Sequence, residues 1–240
     1  SYQELEWRAN QLAQFLARRG LAQGATAAVC LPRSTDALIA LLAIMKAGAA
    51  YLPLEPSYPF ERLRFLMSDS HAHLVITDRS LRDAFREIPT VCVDEDAQAI
   101  AAMPTESPGA ALEGNDAACL LYTSGSTGRP NGVIGTHLGA VNRFRWMWRA
   151  FPFRPGEVHA HKTSLTFVDS IWELFGPLLA GIPVAIMSDD QVRDPHLLIE
   201  ALRRHRVSRL VLVPSFLSAL LDVAPDLGRQ LPDLRLITSS

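Results

Sequence analysis

One segment of the sequence, residues 117–132, has a composition suited to binding phosphate groups. It begins as a short apolar run that ends at Tyr122 and predicts a buried strand, and it continues as a loop rich in hydroxyl groups and glycine. The loop hydroxyls belong to Thr123, Ser124, Ser126 and Thr127. Hydroxyl groups and successive backbone N–H groups form a concave anion site, and a polyphosphate is its natural ligand.

The glycines of this segment are Gly125, Gly128 and Gly132. Glycine adopts positive φ readily and lets the backbone approach a ligand, so we expect these residues to shape the loop. The loop lacks the Gly-Lys-Ser/Thr ending of a Walker loop and the Gly-x-Gly-x-x-Gly of a dinucleotide fold. The alternative is an ordinary surface turn, which such a dense run of small and hydroxyl residues disfavours.

Around this loop, apolar strands alternate with amphipathic helices. The predicted strands are 25–31, 51–54, 74–77, 91–93, 117–122, 132–136, 158–162, 183–187, 210–213 and 234–238. The predicted helices are a first one capped by Ser1 and ended by Gly20, then 36–47, 59–68, 81–86, 138–149, 169–179, 195–205 and 216–223. Alternation of this kind predicts an α/β fold with largely parallel sheets, in which ligands bind at the carboxyl ends of strands.

Residues 94–115 are rich in alanine, proline, glycine and acidic side chains and lack aliphatic periodicity. We interpret them as an exposed connection between two layered α/β halves, about 1–105 and 106–240. The chain begins with Ser1 rather than Met and ends at Ser240 directly after an apolar run. We therefore expect a fragment of a longer protein.

Composition narrows the class of partner. The 23 basic and 25 acidic residues give a formal net charge of −2, which argues against a nucleic-acid surface. The sequence contains no apolar run long enough for a membrane span and no signal peptide. The scattered thiols of Cys30, Cys92 and Cys119 have no metal-ligand spacing and predict a reduced, cytoplasmic protein.

Several motifs together resemble the adenylate-forming superfamily, and most closely the adenylation domains of nonribosomal peptide synthetases. The hydroxyl-rich run YTSGSTG resembles the phosphate loop of that superfamily, with Asn131 where a lysine is usual. The other matching motifs are residues 1–5 with 8–13, residues 45–54 followed by Glu55 in place of the usual Asp, and residues 167–170 with Trp172 and Glu173. The resemblance covers almost the whole chain and implies the N-terminal, truncated portion of such a domain.

The resemblance implies an ATP-dependent ligase. The reaction joins a carboxylate to the α-phosphate of ATP, releases pyrophosphate, and passes the acyl group to phosphopantetheine on a peptidyl carrier protein. The segment from Thr123 to Gly128, including Ser124, Gly125, Ser126 and Thr127, would hold the β- and γ-phosphates, with Mg²⁺ bound to the phosphates and no carboxylate identified as its ligand. The family motifs for adenine, ribose and a late lysine are absent, so we expect residues 1–240 alone to form no acyl adenylate.

The resemblance also predicts the substrate. In adenylation domains for α-amino acids, an Asp directly follows the Phe of the fourth motif and pairs with the substrate ammonium, whereas here Val168 takes that place and Asp169 follows. One residue at the start of a helix turns the side chain by roughly 100°. The pocket positions Val168, Asp169, Trp172, Val211, Ile237 and Ser239 resemble the pattern of domains that activate β-alanine.

Alternatives to each interpretation remain open. Asp169 could instead cap the helix that follows, or the substrate could be a keto or aryl acid, which would leave a buried carboxylate unpaired. Asn131 favours a non-catalytic module that binds nucleotide or carrier, and an acyl-CoA synthetase is a third possibility. We interpret the pairs His71 with His73 and His159 with His161 as turn and strand-edge residues, because no third metal ligand has fitting spacing.

Overall fold

The structure is a computed structural model that describes residues 1–125 and 129–239. The chain divides into two compact units, Ser1–Ala140 and Val141–Ser240. The sequence predicts this division near residue 105 instead. The two differ because the strands that follow the predicted connection hydrogen-bond to strands that precede it, and so belong to the first unit.

The first unit is built on one sheet of six strands. Its strands are β1 (Thr26–Val29), β2 (Ala50–Pro53), β3 (Leu74–Thr77), β4 (Thr90–Cys92), β5 (Ala117–Thr123) and β6 (Asn131–Thr136). Its helices are α1 (Tyr2–Arg18), α2 (Thr35–Lys46), α3 (Phe60–Asp69) and α4 (Ala97–Ala101), with a 3₁₀ turn at Arg82–Phe85. A further helix, α5 (His137–Ala150), contains the boundary between the units.

The strand order in this sheet is β4-β3-β1-β2-β5-β6. Strands β1 to β5 pair in parallel, which confirms the predicted α/β class, and only β6 runs antiparallel to its neighbour. The reversal follows from the connection, because residues 124–130 are too few for the crossover that a parallel pair needs. The hydroxyl-rich loop is therefore the connection of a β-hairpin.

Side-chain alternation explains the core of the first unit. Ala28, Leu52 and Val75 of the strands are buried in one cluster with Cys30 and Leu54, which directly follow β1 and β2, as expected for alternate residues that project from the same face of a sheet. The cluster is completed by Leu63, Leu66 and Met67 of α3 and by Phe85. Burial of this kind is the main contribution to the stability of such a layer.

Local signals explain the ends of the helices. Ser1 caps α1 as predicted, since its Oγ accepts a hydrogen bond from the Glu4 N–H at 3.2 Å. Ser34 caps α2, since its side chain accepts a hydrogen bond from the Ala37 N–H, and the helix begins one residue before the predicted start at residue 36. The sequence does not predict α4, because this helix is short and its position depends on distant residues: Gln11 donates to the carbonyl of Ala101 at 2.7 Å.

The second unit contains a smaller sheet with strand order β10-β9-β7-β8. Its strands are β7 (His159–His161), β8 (Val184–Ile186), β9 (Arg209–Leu212) and β10 (Leu236–Ser239), and all their pairings are parallel. Its helices are α6 (Asp169–Leu178), α7 (Asp189–Arg193), α8 (Pro195–Arg204), α9 (Pro214–Val223) and α10 (Leu227–Gln230). The short helices α7 and α10 are not predicted from the sequence, because each is too short to show helical periodicity.

The two faces of the second sheet differ in chemistry. Ala160, Leu210 and Leu212 contribute to an apolar core with residues of α8 and α9. Alternate residues of the same strands project from the opposite face, and they include His159, His161 and Val211. Among the described residues, no helix has the length and apolar character to cross a membrane.

We expect Gly135→Ala to destabilise the first unit. Gly135 of β6 is paired with Cys119 of β5, and a Cβ at residue 135 would lie 2.6 Å from the buried sulfur. Overpacking of this kind costs about 1–3 kcal/mol, which urea unfolding of the intact protein would measure. Gly228→Ala is the matched control, since a Cβ there meets nothing within 4 Å. Equal losses of stability in the two variants would contradict the steric explanation.

Candidate functional site

The hydroxyl-rich loop connects the end of β5 to the start of β6. Thr123 ends β5 opposite Asn131, and its Oγ1 lies within 3.5 Å of the Asn131 carbonyl oxygen. Thr123 and Ser124 are exposed, so their hydroxyls are accessible to a ligand. The other predicted phosphate-binding residues, Ser126, Thr127 and Gly128, lie outside the described residues.

Glycine is needed in this hairpin for a reason other than the predicted one. The backbones of Gly125 and Gly132 do not have positive φ. A Cβ on Gly125 would instead collide with the carbonyl oxygen of Arg129, and one on Gly132 would lie 3.3 Å from the ring of Tyr122. Both glycines therefore permit close approach of chain segments, which is the second property that the residue type offers.

Tyr122 anchors the end of β5, directly before the loop, to helix α3. Its hydroxyl donates to Oδ2 of Asp69, at the end of α3, over 2.6 Å. Burial and this bond to a carboxylate both raise the pKa of Tyr122, so the phenol stays protonated and remains a donor. The tyrosine thus anchors the start of the loop to a helix of the same unit.

The second unit contains a cavity of about 290 Å³ beside β9 and β10. The residues that line it are Arg143, Trp146, Met147, Phe151, Asp169, Trp172, Val211, Leu236, Ile237, Thr238 and Ser239. The list includes every predicted substrate residue except Val168.

Asp169 and Val168 have different surroundings although they are neighbours. Asp169 is the first residue of α6 and lines the cavity, whereas Val168 is 66% exposed. The N-cap position belongs to Val168, so Asp169 is not the capping residue that the alternative interpretation requires. A carboxylate in the first turn is nevertheless favoured by the helix dipole.

Trp172 forms a rigid wall of the cavity, because aromatic rings surround it. Its ring lies parallel to that of Phe153, with centroids 6.1 Å apart and an interplanar angle of 13°. Phe144 and His159 contact it with centroids at 6.0 and 6.3 Å. The ring also covers Gly176, where any Cβ would collide with it.

A buried polar cluster lies beside this wall, and sequence analysis did not predict it. Glu173 is fully buried, and its Oε2 accepts hydrogen bonds from the backbone N–H groups of Lys162 and Thr163 at 2.9 and 2.8 Å. The Thr163 hydroxyl donates to Oε1 at 2.7 Å, and Nδ1 of His161 lies 3.1 Å from Oε2. The available signal was the single carboxylate within the apolar run of residues 171–179, since a buried carboxylate requires partners.

This cluster corrects the interpretation of His159 and His161 as strand-edge residues. Both are buried on β7, which lies between β8 and β9 in the interior of the sheet. The pairing also determines the charge of Glu173. Burial raises its pKa, but the hydrogen bond from His161, the charges of Lys162 and His161 and the bond from Thr163 outweigh burial and lower the pKa to about 2.

The histidines earlier in the chain belong to a turn, as predicted. His71 has a φ of 52° in the turn before β3, and the His73 N–H donates to the Thr26 carbonyl at 2.8 Å. Among residues 1–125 and 129–239, no group of three or more His, Cys, Asp or Glu side chains is arranged to hold a metal ion.

Comparison with known proteins identifies the family. A family model described as AMP-binding enzyme matches residues 1–240. The chain belongs to this family. It is 40% identical over 227 residues to the phosphinothricin tripeptide synthetase PhsB of Streptomyces viridochromogenes, covering 93% of the chain and 19% of that protein. It is 39% identical over 240 residues to the beta-alanyl-bioamine nonribosomal peptide synthetase ebony of Drosophila melanogaster, covering 92% of the chain and 27% of that protein.

Solved structures agree with this assignment. The AMPPNP-bound form of the nonribosomal peptide synthetase FmoA3 matches with a TM-score of 0.87 and 28% identity, covering 98% of the chain and 25% of that protein. These findings confirm the predicted resemblance to an adenylation domain of a nonribosomal peptide synthetase. The chain spans about a quarter or less of the length of these relatives.

We expect the second unit to lose stability between pH 6.5 and pH 4. Burial lowers the pKa of His159 to about 4, although Glu173 opposes the shift, so the unfolded chain takes up a proton before the folded one does. The contribution of this group is complete above pH 6.5 and decreases as the pH falls, by about 2 kcal/mol at pH 5. Unfolding in urea across this pH range measures the loss.

Two variants isolate the contribution of His159. His159→Gln removes the titrating group, so the stability of this variant should depend less on pH between 6.5 and 4. His196→Gln is the control, because His196 is exposed, and this variant should keep the slope of the unmodified protein. An unchanged slope in His159→Gln would contradict the assignment.

Proposed function

We propose that the chain, as part of an intact adenylation domain, activates a small β-amino acid, β-alanine above others, as an acyl adenylate, and that a peptidyl carrier protein receives the acyl group on its phosphopantetheine thiol. The observation that carries this proposal is the different placement of two neighbours: Asp169 lines the cavity while Val168 is exposed to solvent. In adenylation domains for α-amino acids, the carboxylate is expected one residue earlier. A carboxylate displaced by one residue suits an ammonium displaced by one methylene.

The chemistry of the cavity supports this class of substrate. Trp172, Val211 and Ile237 provide apolar walls, and Asp169 provides a carboxylate among them. A charge pair is stronger in such surroundings than in water, so an ammonium group is a favourable guest. Arg143 lines the same cavity and is turned over the ring of Trp146 at 4.8 Å, an arrangement that stabilises its own charge. The name of the relative ebony, which includes beta-alanyl, agrees with the proposal.

In the proposed reaction, a carboxylate oxygen of the amino acid attacks the α-phosphorus of ATP. A new P–O bond forms, the bond to the β-phosphate bridging oxygen breaks, and pyrophosphate leaves. The hydroxyl and N–H groups of Thr123, Ser124 and Gly125, with Ser126, Thr127 and Gly128, would hold the β- and γ-phosphates and stabilise the departing charge. Magnesium, when bound to the phosphates, would neutralise part of that charge.

A non-catalytic module that binds nucleotide or carrier is the second candidate, and Asn131 is the observation that favours it. Asn131 stands where the family usually has lysine, and its amide nitrogen lies 3.0 Å from where a Cβ of Gly125 would be. Because asparagine replaces that lysine beside the loop, the proposed phosphate site has one positive charge fewer. Exchange of radioactive pyrophosphate into ATP by the intact protein distinguishes the two candidates, because a non-catalytic module supports none.

We expect Asp169→Ala to lower exchange with β-alanine by one to two orders of magnitude. The variant loses a hydrogen bond between charged groups, which contributes about 1.5–3 kcal/mol, at roughly 1.4 kcal/mol per decade. The measurement is ATP–pyrophosphate exchange by the intact protein with β-alanine, α-alanine, 3-aminobutyrate, propionate and benzoate. Val168→Ala is the matched control and should retain activity, since its side chain is largely in solvent. Equal rates with β-alanine and α-alanine or propionate would refute the substrate assignment.

We expect Gly125→Ala to reduce exchange with every substrate. The added methyl group would displace the carbonyl of Arg129 and change the hairpin connection that carries the hydroxyl groups. Loss of one donor to a developing charge corresponds to about 10²–10³ in rate. The control is Gly228→Ala, where a Cβ meets nothing within 4 Å and φ is not positive. Full activity of the Gly125 variant would show that this connection has no part in catalysis.

A further inference from the structure

We infer that Glu173 and Thr163 are positioning residues that determine substrate specificity: they fix the rotation of α6, so that Asp169 rather than Val168 is presented to the cavity. The inference rests on the proposed function, because it takes Asp169 as the partner of the substrate ammonium. It assigns a role to the buried polar cluster, whose members are not among the residues that line the cavity.

The spacing along α6 connects the cluster to the cavity. Glu173 follows Asp169 by four residues, so the two side chains lie one turn apart on nearly the same face of the helix. Trp172, the rigid wall of the cavity, is the residue before Glu173. Any rotation of α6 that moves the Glu173 carboxylate must therefore also move Asp169 and Trp172.

The carboxylate of Glu173 is held by the end of β7 and the two residues that follow it. Its partners there are His161, Lys162 and Thr163. Two of these donors are backbone N–H groups, whose positions are fixed by the path of the strand. A turn of α6 by one residue would remove a buried charge from all of these donors, which is strongly unfavourable.

Thr163 is the member of the cluster that can be tested most cleanly. It donates to both carboxylate oxygens, through its N–H to Oε2 at 2.8 Å and through its hydroxyl to Oε1 at 2.7 Å. Without the hydroxyl, Oε1 keeps the ammonium of Lys162 at 3.6 Å. That ammonium is itself oriented by the Thr163 hydroxyl at 3.0 Å, so the replacement loosens both contacts.

Other contacts hold α6 near its two ends. The Ser170 hydroxyl donates to the Phe167 carbonyl at 2.7 Å, which orders the turn before the helix. Trp148 donates from Nε1 to the carbonyl of Gly176 at 2.9 Å, near the other end. Both contacts involve the backbone carbonyls of a turn and a helix, whereas the Glu173 contacts join the helix to the interior of the sheet.

The experiment compares Thr163→Val with Thr163→Ser in the intact protein. Valine has a similar shape but cannot donate, and serine keeps the hydroxyl. We expect Thr163→Val to raise the KM for β-alanine about tenfold and to lower the preference for β-alanine over α-alanine by about the same factor, the size expected for one weakened charged contact. The KM for ATP should stay within about twofold, and Thr163→Ser should behave like the unmodified protein. Glu173→Gln should change the preference in the same direction.

A purely structural role predicts a different result. It would lower kcat for all amino acids together, through loss of folded protein, and would leave the ratio between β-alanine and α-alanine unchanged. A folded Thr163→Val protein with an unchanged ratio overturns the inference.

Hydrogen exchange without substrate separates this inference from the proposed function. In Thr163→Val the amides of α6 should exchange faster while those of α8 do not change, and Thr163→Ser should restore slow exchange. If the unmodified protein activates no amino acid, the proposed function fails, and the α6 amides still report whether the cluster positions the helix. Unchanged α6 exchange in Thr163→Val overturns the inference whatever the activity.

Discussion

The second unit depends on the pairing of one buried carboxylate. Glu173 is completely shielded from water and remains ionised, because donors at the end of β7 replace its hydration. Breaking such a buried pair by removing one partner typically costs 3–5 kcal/mol, whereas keeping it contributes little net stability over an apolar pair of the same shape. Its physical effect is therefore to define a single arrangement of α6 on the sheet rather than to add strength to the core.

Rigidity at this place matters because α6 contributes Asp169 and Trp172 to the cavity. Trp172 cannot tilt without disturbing Phe153, Phe144 and His159, and glycine at residue 176 is what allows the ring to lie so close to its own helix. Preorganised walls reduce the ordering that binding requires, which improves discrimination between ligands that differ by one methylene. The loop of the first unit is also positioned by its neighbours. Tyr122 bonds to α3 directly before the loop, and Gly125 and Gly132 allow the adjoining chain segments to pack closely.

The features predicted from the sequence are those that local patterns encode. Apolar runs alternating with helical segments predict the ten strands among the described residues to within a few residues. The displacement of the carboxylate from residue 168 to Asp169 can be read directly from the sequence. The antiparallel direction of β6 was not predicted, because it requires β6 to pair with β5 itself rather than with another strand of the sheet. The unit boundary after Ala140 depends on long-range strand pairing in the same way.

The buried polar cluster was not predicted because its members lie on different elements, β7 and α6, and become neighbours only after folding. His161 and Glu173 each have a plausible solvent-exposed interpretation when considered alone, and only the packing of α6 on β7 brings Nδ1 within 3.1 Å of Oε2. The glycines show the same limit, since the sequence cannot distinguish a residue that needs positive φ from one that needs close approach.

A one-residue displacement of a carboxylate can alter specificity only on a helix that cannot rotate. The first turn of a helix frays easily, and a freely rotating start of α6 would present Val168 and Asp169 to the cavity in turn. The difference between a 66% exposed Val168 and a cavity-lining Asp169 therefore depends on residues later in the helix. A specificity pattern that names only the residues lining the cavity does not state that α6 must be held in one rotation. The same residues on a loosely held helix would define no single pocket.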